Sequence, residues 1–133
     1  MQPIGVAQPL RRPGGRDQPA IAIGADDVFD DGVVGGKRIL QEDWVGFSAA
    51  ATLDTDYGAG FWTNRSEHKN AKGRVGLGIP RDAFFAFGLL GQRVAIIPSQ
   101  QMVVVRLGHA VDPTGDIRGF ARLVKEAIAA TQN

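Results

Sequence analysis

The longest apolar segment of the chain runs from Phe84 to Gly108, FFAFGLLGQRVAIIPSQQMVVVRLG, and its pattern predicts an antiparallel hairpin. Arg93 to Pro98 and Met102 to Leu107 are short runs rich in Val and Ile, separated by Ser99, Gln100 and Gln101, a polar connection of hairpin length. Each run is shorter than an ordinary helix. Side chains alternate along the second run, with Val103, Val105 and Leu107 on one face and Met102, Val104 and Arg106 on the other. A strand apolar on both faces needs cover on both, so the pattern predicts a sheet between two helical layers. Arg106 is the one charge there. It is expected to meet a carboxylate or to reach solvent past the sheet end, because burying it unpaired would cost several kcal/mol.

Helical spacing recurs on either side of this segment. Leu40, Trp44, Phe47 and Ala51 predict a short helix near Gln41 to Ala50, with Glu42 and Asp43 in its first turn at the positive end of the helix dipole. Ile117, Phe120, Val124 and Ile128 predict an amphipathic C-terminal helix of about four turns. Asp112 and Pro113 supply its start signal, and its apolar stripe is the cover for one face of the hairpin. Gly35 and Gly36 make a turn. Tyr57 to Asn64, YGAGFWTN, suits a strand whose backbone is closely approached, and Asn64 to Pro80, polar and glycine-rich, reads as a loop.

The first residues have a different texture. Met1 to Pro19 contains four prolines and the run Arg11, Arg12, Pro13, Gly14, Gly15, Arg16, too little apolar surface to offset its ordering entropy, so it is expected to be disordered. A basic arm for nucleic acid is the alternative, disfavoured by the absence of aromatics. Ala20 to Gly24 is a short apolar patch. Asp26 to Asp31 reads as a solvated acidic loop, because it lacks the alternating ligands, central glycine and closing Glu of a calcium loop. The chain thus divides into a disordered or otherwise separate N-terminal arm over residues 1–30 and a folded domain over 31–133.

Composition narrows the function classes. A chain of 133 residues is one domain by size, and a net charge of +1 with 22% charged residues gives no electrostatic reason to bind nucleic acid or an anionic membrane. There is no cysteine, so disulfides and thiol chemistry are excluded and the redox compartment is left open. His68 and His109 are the only imidazoles and lack metal-ligand spacing, so no metal or other cofactor is expected. The apolar segment is interrupted by Gly88, Gly91, Gln92, Arg93, Pro98 and Gln100 before it reaches membrane-spanning length. No apolar core of signal-peptide type opens the chain, which makes a cytoplasmic location the default expectation.

Two patterns bear on chemistry. Ser66, Glu67, His68 and Lys69 fit S-x-x-K, a spacing that sets a nucleophilic Ser beside a Lys when it opens a helix, but here it lies in the stretch read as loop. The second pattern is longer. Asp31 to Trp44 (DGVVGGKRILQEDW), Tyr57 to Asn64, Ile79 to Gly108 (IPRDAFFAFGLLGQRVAIIPSQQMVVVRLG) and the closing helix together resemble the C-terminal part of the β-lactamase-related serine hydrolases. The likeness is greatest to their 6-aminohexanoate-dimer hydrolase and class C-like esterase branch, and it spans roughly the last hundred residues in the family's order.

The resemblance implies an α+β fold, a partial β-lactamase or penicillin-binding-protein-like arrangement with an antiparallel sheet and a covering C-terminal helix. It also implies acyl transfer to an amide or ester, with a Ser activated by Lys and Tyr and backbone N–H groups holding the oxyanion. In that family a glycine-rich opening of a core strand, often G-x-H-G-Q, borders the active site. Here Gly88, Leu89, Leu90, Gly91 and Gln92 match it. Leu89 is then the oxyanion donor through its N–H, Gly88 and Gly91 admit substrate to the backbone, Gln92 orients it, and Leu90 stands where relatives often carry His.

The nucleophilic Ser, Lys and Tyr belong to an N-terminal portion of the family that these residues do not resemble, so the chain alone is expected to be inactive. It is read as a segment that awaits that portion. The alternative is a non-catalytic binding or assembly module that retains the sheet. In the family the strand matching Met102 to Leu107 is flanked by an N-terminal strand, so here it is expected to be an open edge that pairs with the missing part or with itself.

Overall fold

In the computed structural model, residues 31–132 are described. The expectations for Met1 to Pro19 and Ala20 to Gly24, and for the acidic loop Asp26 to Asp31 except Asp31 itself, therefore lie outside the described residues. A small hairpin of β1 (Val33–Val34) and β2 (Lys37–Arg38) turns at Gly35 and Gly36, both with positive φ. The main sheet is an antiparallel meander of four strands in chain order: β3 (Trp62–Thr63), β4 (Phe84–Phe87), β5 (Arg93–Ile97) and β6 (Met102–Arg106). The β5–β6 hairpin is the one expected from the sequence. Its register sets Arg93 opposite Arg106 and Ile97 opposite Met102, and Pro98–Gln100 close it as a single 3₁₀ turn.

Both faces of the sheet are apolar, and each meets a helix. On one face Phe85, Ala95, Ile97 and Val104 pack with Phe120, Ala121 and Val124 of a long C-terminal helix, Ile117–Thr131. On the other, Phe84 and Ile96 pack with Ala49 of the short helix α1 (Trp44–Ala49), with Val45, Phe61, Val94 and Val103 around them. A third helix, α2 (Lys69–Gly76), lies between them in sequence, so the C-terminal helix is α3. The class is α+β. Cover on the α1 face is partial, and Val105, whose side chain points to that face, is 52% exposed. Among the described residues no strand pairs with the outer side of β6, which is the sheet edge that the sequence implied.

Four expectations need correction. The helix expected near Gln41 to Ala50 spans only Trp44–Ala49, with Asp43 at its N-cap in the left-handed region and no acidic residue in its first turn. Asp31 does the capping instead, since its Oδ2 accepts from the Asp43 N–H at 2.6 Å and its Oδ1 from the Val45 N–H at 3.2 Å. The Asp43 N–H is the main reason that the Asp31 carboxyl is held below its ordinary range, with the Val45 N–H and Arg38 helping and desolvation opposing. This arrangement turns Ser48 and Ala49 inward and leaves Trp44 half exposed and Phe47 64% exposed, so the expected stripe is not the buried one.

The other three concern a strand, a loop and a helix start. Tyr57 to Asn64 is not one strand but a tight fold-back, with a Tyr57–Trp62 bridge and only Trp62–Thr63 in the sheet. The close backbone approach does occur, at Gly58, where a Cβ would collide with the Ala50 and Ser48 carbonyl oxygens. Asn64 to Pro80 is not a loop, for it contains α2, whose buried positions Ala71 and Arg74 offered no apolar repeat. Finally, α3 starts at Ile117 rather than at Pro113. The Asp112 side chain accepts from the Thr114 N–H at 2.6 Å and the Asp116 N–H at 3.0 Å, which closes a turn, and Asp116 becomes the N-cap by accepting from the Gly119 N–H. These contacts, the Thr114 hydroxyl foremost, also hold the Asp112 carboxyl below its ordinary range. Asp116 then reaches Arg106 at 3.2 Å, the carboxylate partner expected for that charge.

The core makes a simple demand. Phe120 is fully buried against the sheet, so Phe120→Ala is expected to cost about 3–5 kcal/mol of unfolding free energy, whereas Val105→Ala at the exposed edge costs under about 1 kcal/mol. Urea denaturation of the two variants measures both.

Candidate functional site

The most heavily built polar site in the described residues is assembled from segments far apart in sequence. Arg74, on the buried side of α2, donates through Nε to Asn64 Oδ1 at 2.7 Å, through Nη1 to Asp56 Oδ2 at 2.8 Å and through Nη2 to the Thr63 carbonyl at 2.8 Å. Its guanidinium also lies over the rings of Phe85 and Phe87. Asn64 is fixed in turn, donating through Nδ2 to the Pro80 carbonyl at 2.9 Å. Charge is balanced inside the group, and every nitrogen of the guanidinium has an acceptor. A buried Arg–carboxylate pair is tolerable on those terms.

Asp56 carries a second partner. His68 Nδ1 stands 3.2 Å from Asp56 Oδ1 and 3.3 Å from the Asn70 N–H. One nitrogen cannot donate to the first and accept from the second, and the negative oxygen at the shorter distance favours the form with the proton on Nδ1. Nε2 is then left as an acceptor. An Asp-oriented imidazole of this kind can exchange protons, but no hydroxyl lies within hydrogen-bond reach of the ring among the described residues.

Two hollows flank this group. A cleft of about 910 Å³ lies between α2 and the start of α3, with Trp62, Phe87 and Arg93 at its base and Lys69, Thr114 and Arg118 at its walls. Trp62 and Phe87 are stacked there with ring centres 5.8 Å apart. A more open hollow of about 730 Å³ lies on the other side of Asp56, lined by Thr52, Tyr57 and His68. Asp56 and Trp62 belong to both.

None of the residues from Gly88 to Gln92 singled out from the sequence is among those that line the cleft, although their immediate neighbours are. Gly88 to Gln92 form the turn between β4 and β5, whose flanking residues Phe87 and Arg93 line the cleft. Gly88 donates to the Gln92 carbonyl at 2.8 Å, and the Leu90 carbonyl accepts from the Ala110 N–H at 2.8 Å. Leu90 is held at φ 57° and ψ 36°, a left-handed conformation that costs a branched side chain about 1 kcal/mol or more. Leu89 is 79% exposed, and its N–H has no partner among the described residues. Gly91 is buried, while Gln92 is exposed.

Ser66 and Lys69 are not brought together. Lys69 opens α2, but Ser66 lies before the His68 N-cap, is buried, and accepts through Oγ from the His68 N–H at 3.3 Å. Asp56, His68, Arg74 and Arg93 were not foreseen as a group. The signal that pointed to Arg74 was its place one turn after Ala71, visible only once α2 is recognised.

Removing Arg74 strands Asp56 in the interior. Arg74→Met is expected to destabilise the fold by about 3–5 kcal/mol, and adding Asp56→Asn should recover part of that loss. A urea double-mutant cycle measures the coupling.

Comparison with protein-family models, with curated proteins and with solved structures finds no match to this chain.

Proposed function

We propose that the described residues are the C-terminal segment of a β-lactamase-related serine hydrolase, contributing one wall of an acyl-transfer site. The observation that carries the reading is the turn Gly88 to Gln92, where a strained Leu90 and a Leu89 N–H without a partner among the described residues sit together between Phe87 and Arg93, which line the cleft. Backbone strain of this kind concentrates where geometry serves function. In this reading the Leu89 N–H is one oxyanion donor, Gly88 and Gly91 admit substrate, and Leu90 and Gln92 border it. The order of the remaining elements agrees with the resemblance, in that the glycine-rich turn opens β5, β6 follows as the next strand, and α3 returns over the sheet.

The nucleophile has to come from elsewhere, because Ser66 Oγ is engaged by the backbone and makes no hydrogen bond to Lys69. The unpaired side of β6 is the joint at which an N-terminal portion adds its strand, and in its absence a second copy pairs there. Only Arg106 guards that edge with a charge.

Alone, the protein is expected to leave p-nitrophenyl esters, nitrocefin and short amide oligomers at their uncatalysed rates. Mixed with the N-terminal portion of a 6-aminohexanoate-dimer hydrolase that lacks the matching segment, it is expected to restore ester turnover, and Leu89→Pro, which deletes the N–H, lowers that restored kcat by about 10²–10³-fold. Turnover by the unaided chain that Ser66→Ala abolishes would sink the proposal.

The edge has its own readout. Light scattering at micromolar concentration is expected to show self-association that Val105→Lys suppresses, since a charge on an exposed edge strand opposes pairing. A monodisperse monomer would show that the edge is already covered.

A further inference from the structure

The cleft between α2 and α3 has an uneven charge distribution that the fold itself does not neutralise. Lys69, Arg74, Arg93 and Arg118 all line it, against the single carboxylate of Asp56. That carboxylate is committed to Arg74 at 2.8 Å and His68 at 3.2 Å. Lys69 and Arg118 pair with no carboxylate among the described residues. Positive charge that is surplus to the fold is thus gathered around one concave surface.

Arg93 is the unusual member. It is only 8% exposed, yet its partners are carbonyls, with Nη2 donating to Thr114 at 2.7 Å and to Gly115 at 3.2 Å. Its Nε is buried without a hydrogen-bond partner among the described residues. Nη1 makes no hydrogen bond among the described residues and is not among their buried unsatisfied atoms, so it keeps some exposed surface on a residue that lines the cleft. Asp116, whose charge acts on Arg93, is engaged with Arg106 at 3.2 Å, and Arg106 stands directly opposite Arg93 across the β5–β6 ladder. Desolvation first, and then repulsion from Arg106 and Arg74, push the Arg93 pKa down. Asp116 and Asp112 oppose that shift without outweighing it, and a buried cation with no carboxylate in contact among the described residues, beside two more cations, is a site at which an anion would lower the energy.

The base of the cleft adds a second preference. Trp62 and Phe87 stack with their planes 20° apart, and the Arg93 guanidinium lies 4.5 Å from the Phe87 ring centre. With about 910 Å³ available, the cleft is far larger than a bare anion requires and lies within the size range of small-molecule sites. We propose that it binds a small carboxylate carried on a flat apolar body, with Arg93, Arg118 and Lys69 taking the carboxylate and Trp62 and Phe87 the body. This site does not depend on the hydrolase reading. Its evidence is the cleft alone.

Trp62 makes the test direct. In a Trp44→Phe background Trp62 is the sole indole, and titration with benzoate at low ionic strength is expected to change its fluorescence saturably. Arg118→Gln, an exposed position, and Arg93→Lys, which keeps the charge but loses the planar fork, should each weaken benzoate binding by about tenfold or more. Arg122→Gln, on α3 but outside the cleft, should leave it unchanged. Inorganic phosphate should bind more weakly than benzoate, for want of a flat body. Circular dichroism and thermal melting check that each variant is folded. No saturable response to benzoate, or an affinity that Arg118→Gln and Arg93→Lys both leave intact, would overturn the proposal. Phosphate binding tighter than benzoate would equally overturn the assignment to a carboxylate on an apolar body.

Discussion

A guanidinium sealed between Asp56, Asn64 and the Thr63 carbonyl stays there only while each of those partners is in place, and Arg74 is such a group. Its three hydrogen bonds tie together the loop before β3, β3 itself and the segment that follows it. Its flat face rests on Phe85 and Phe87 of β4. The ionic cluster therefore fixes α2 against a sheet to which a helix so poor in apolar residues would otherwise have little reason to adhere. Both hollows beside Asp56 owe their walls to this placement, because α2 supplies one side of the larger and His68, at its N-cap, one side of the smaller.

The two faces of the sheet are finished to different degrees. The α3 face is sealed by Phe120, Ala121 and Val124, whereas the α1 face is covered by a six-residue helix that turns Trp44 and Phe47 outward. β6 lies between these conditions, with Val104 buried under α3 and Val105 exposed. Apolar surface on one face and, among the described residues, open backbone along one edge therefore meet at β6. The proposed assembly gives both features a single cause.

What could be read in advance follows from how each element is specified. The β5–β6 hairpin was legible because alternation of Val and Ile fixes both strand and face, and it was legible that Arg106 would meet a carboxylate or reach solvent, though not that Asp116 would be its partner, because an unpaired charge at that position is too costly. The stripe of α3 was legible for the same reason, with Phe120 and Val124 on its buried side. Its start was not, because an Asp followed by Pro also serves a turn, and Asp112 spends its side chain on Thr114 and Asp116. α2 was illegible because one of its two buried positions is Arg74, which a hydrophobic count scores as surface. The same residue hid the polar site. Asp56, His68 and Arg74 converge through tertiary contact, and no local spacing announces them. Gly88 to Gln92 could be marked as the glycine-rich opening of a strand, but neither the turn that it makes between β4 and β5 nor the left-handed Leu90 within it could be.

Asp116 has one carboxylate and two obligations. Oδ1 accepts from the Gly119 N–H at the start of α3, while Oδ2 meets Arg106 at the end of β6. Any side chain at position 119 would collide with that carboxylate, so Gly119 is what allows both contacts at once. The first turn of the helix and the last residue of the edge strand are therefore secured by the same group. Fraying of one end withdraws support from the other. In amide hydrogen exchange the two should open together as one local unit, although they lie on different layers of the fold.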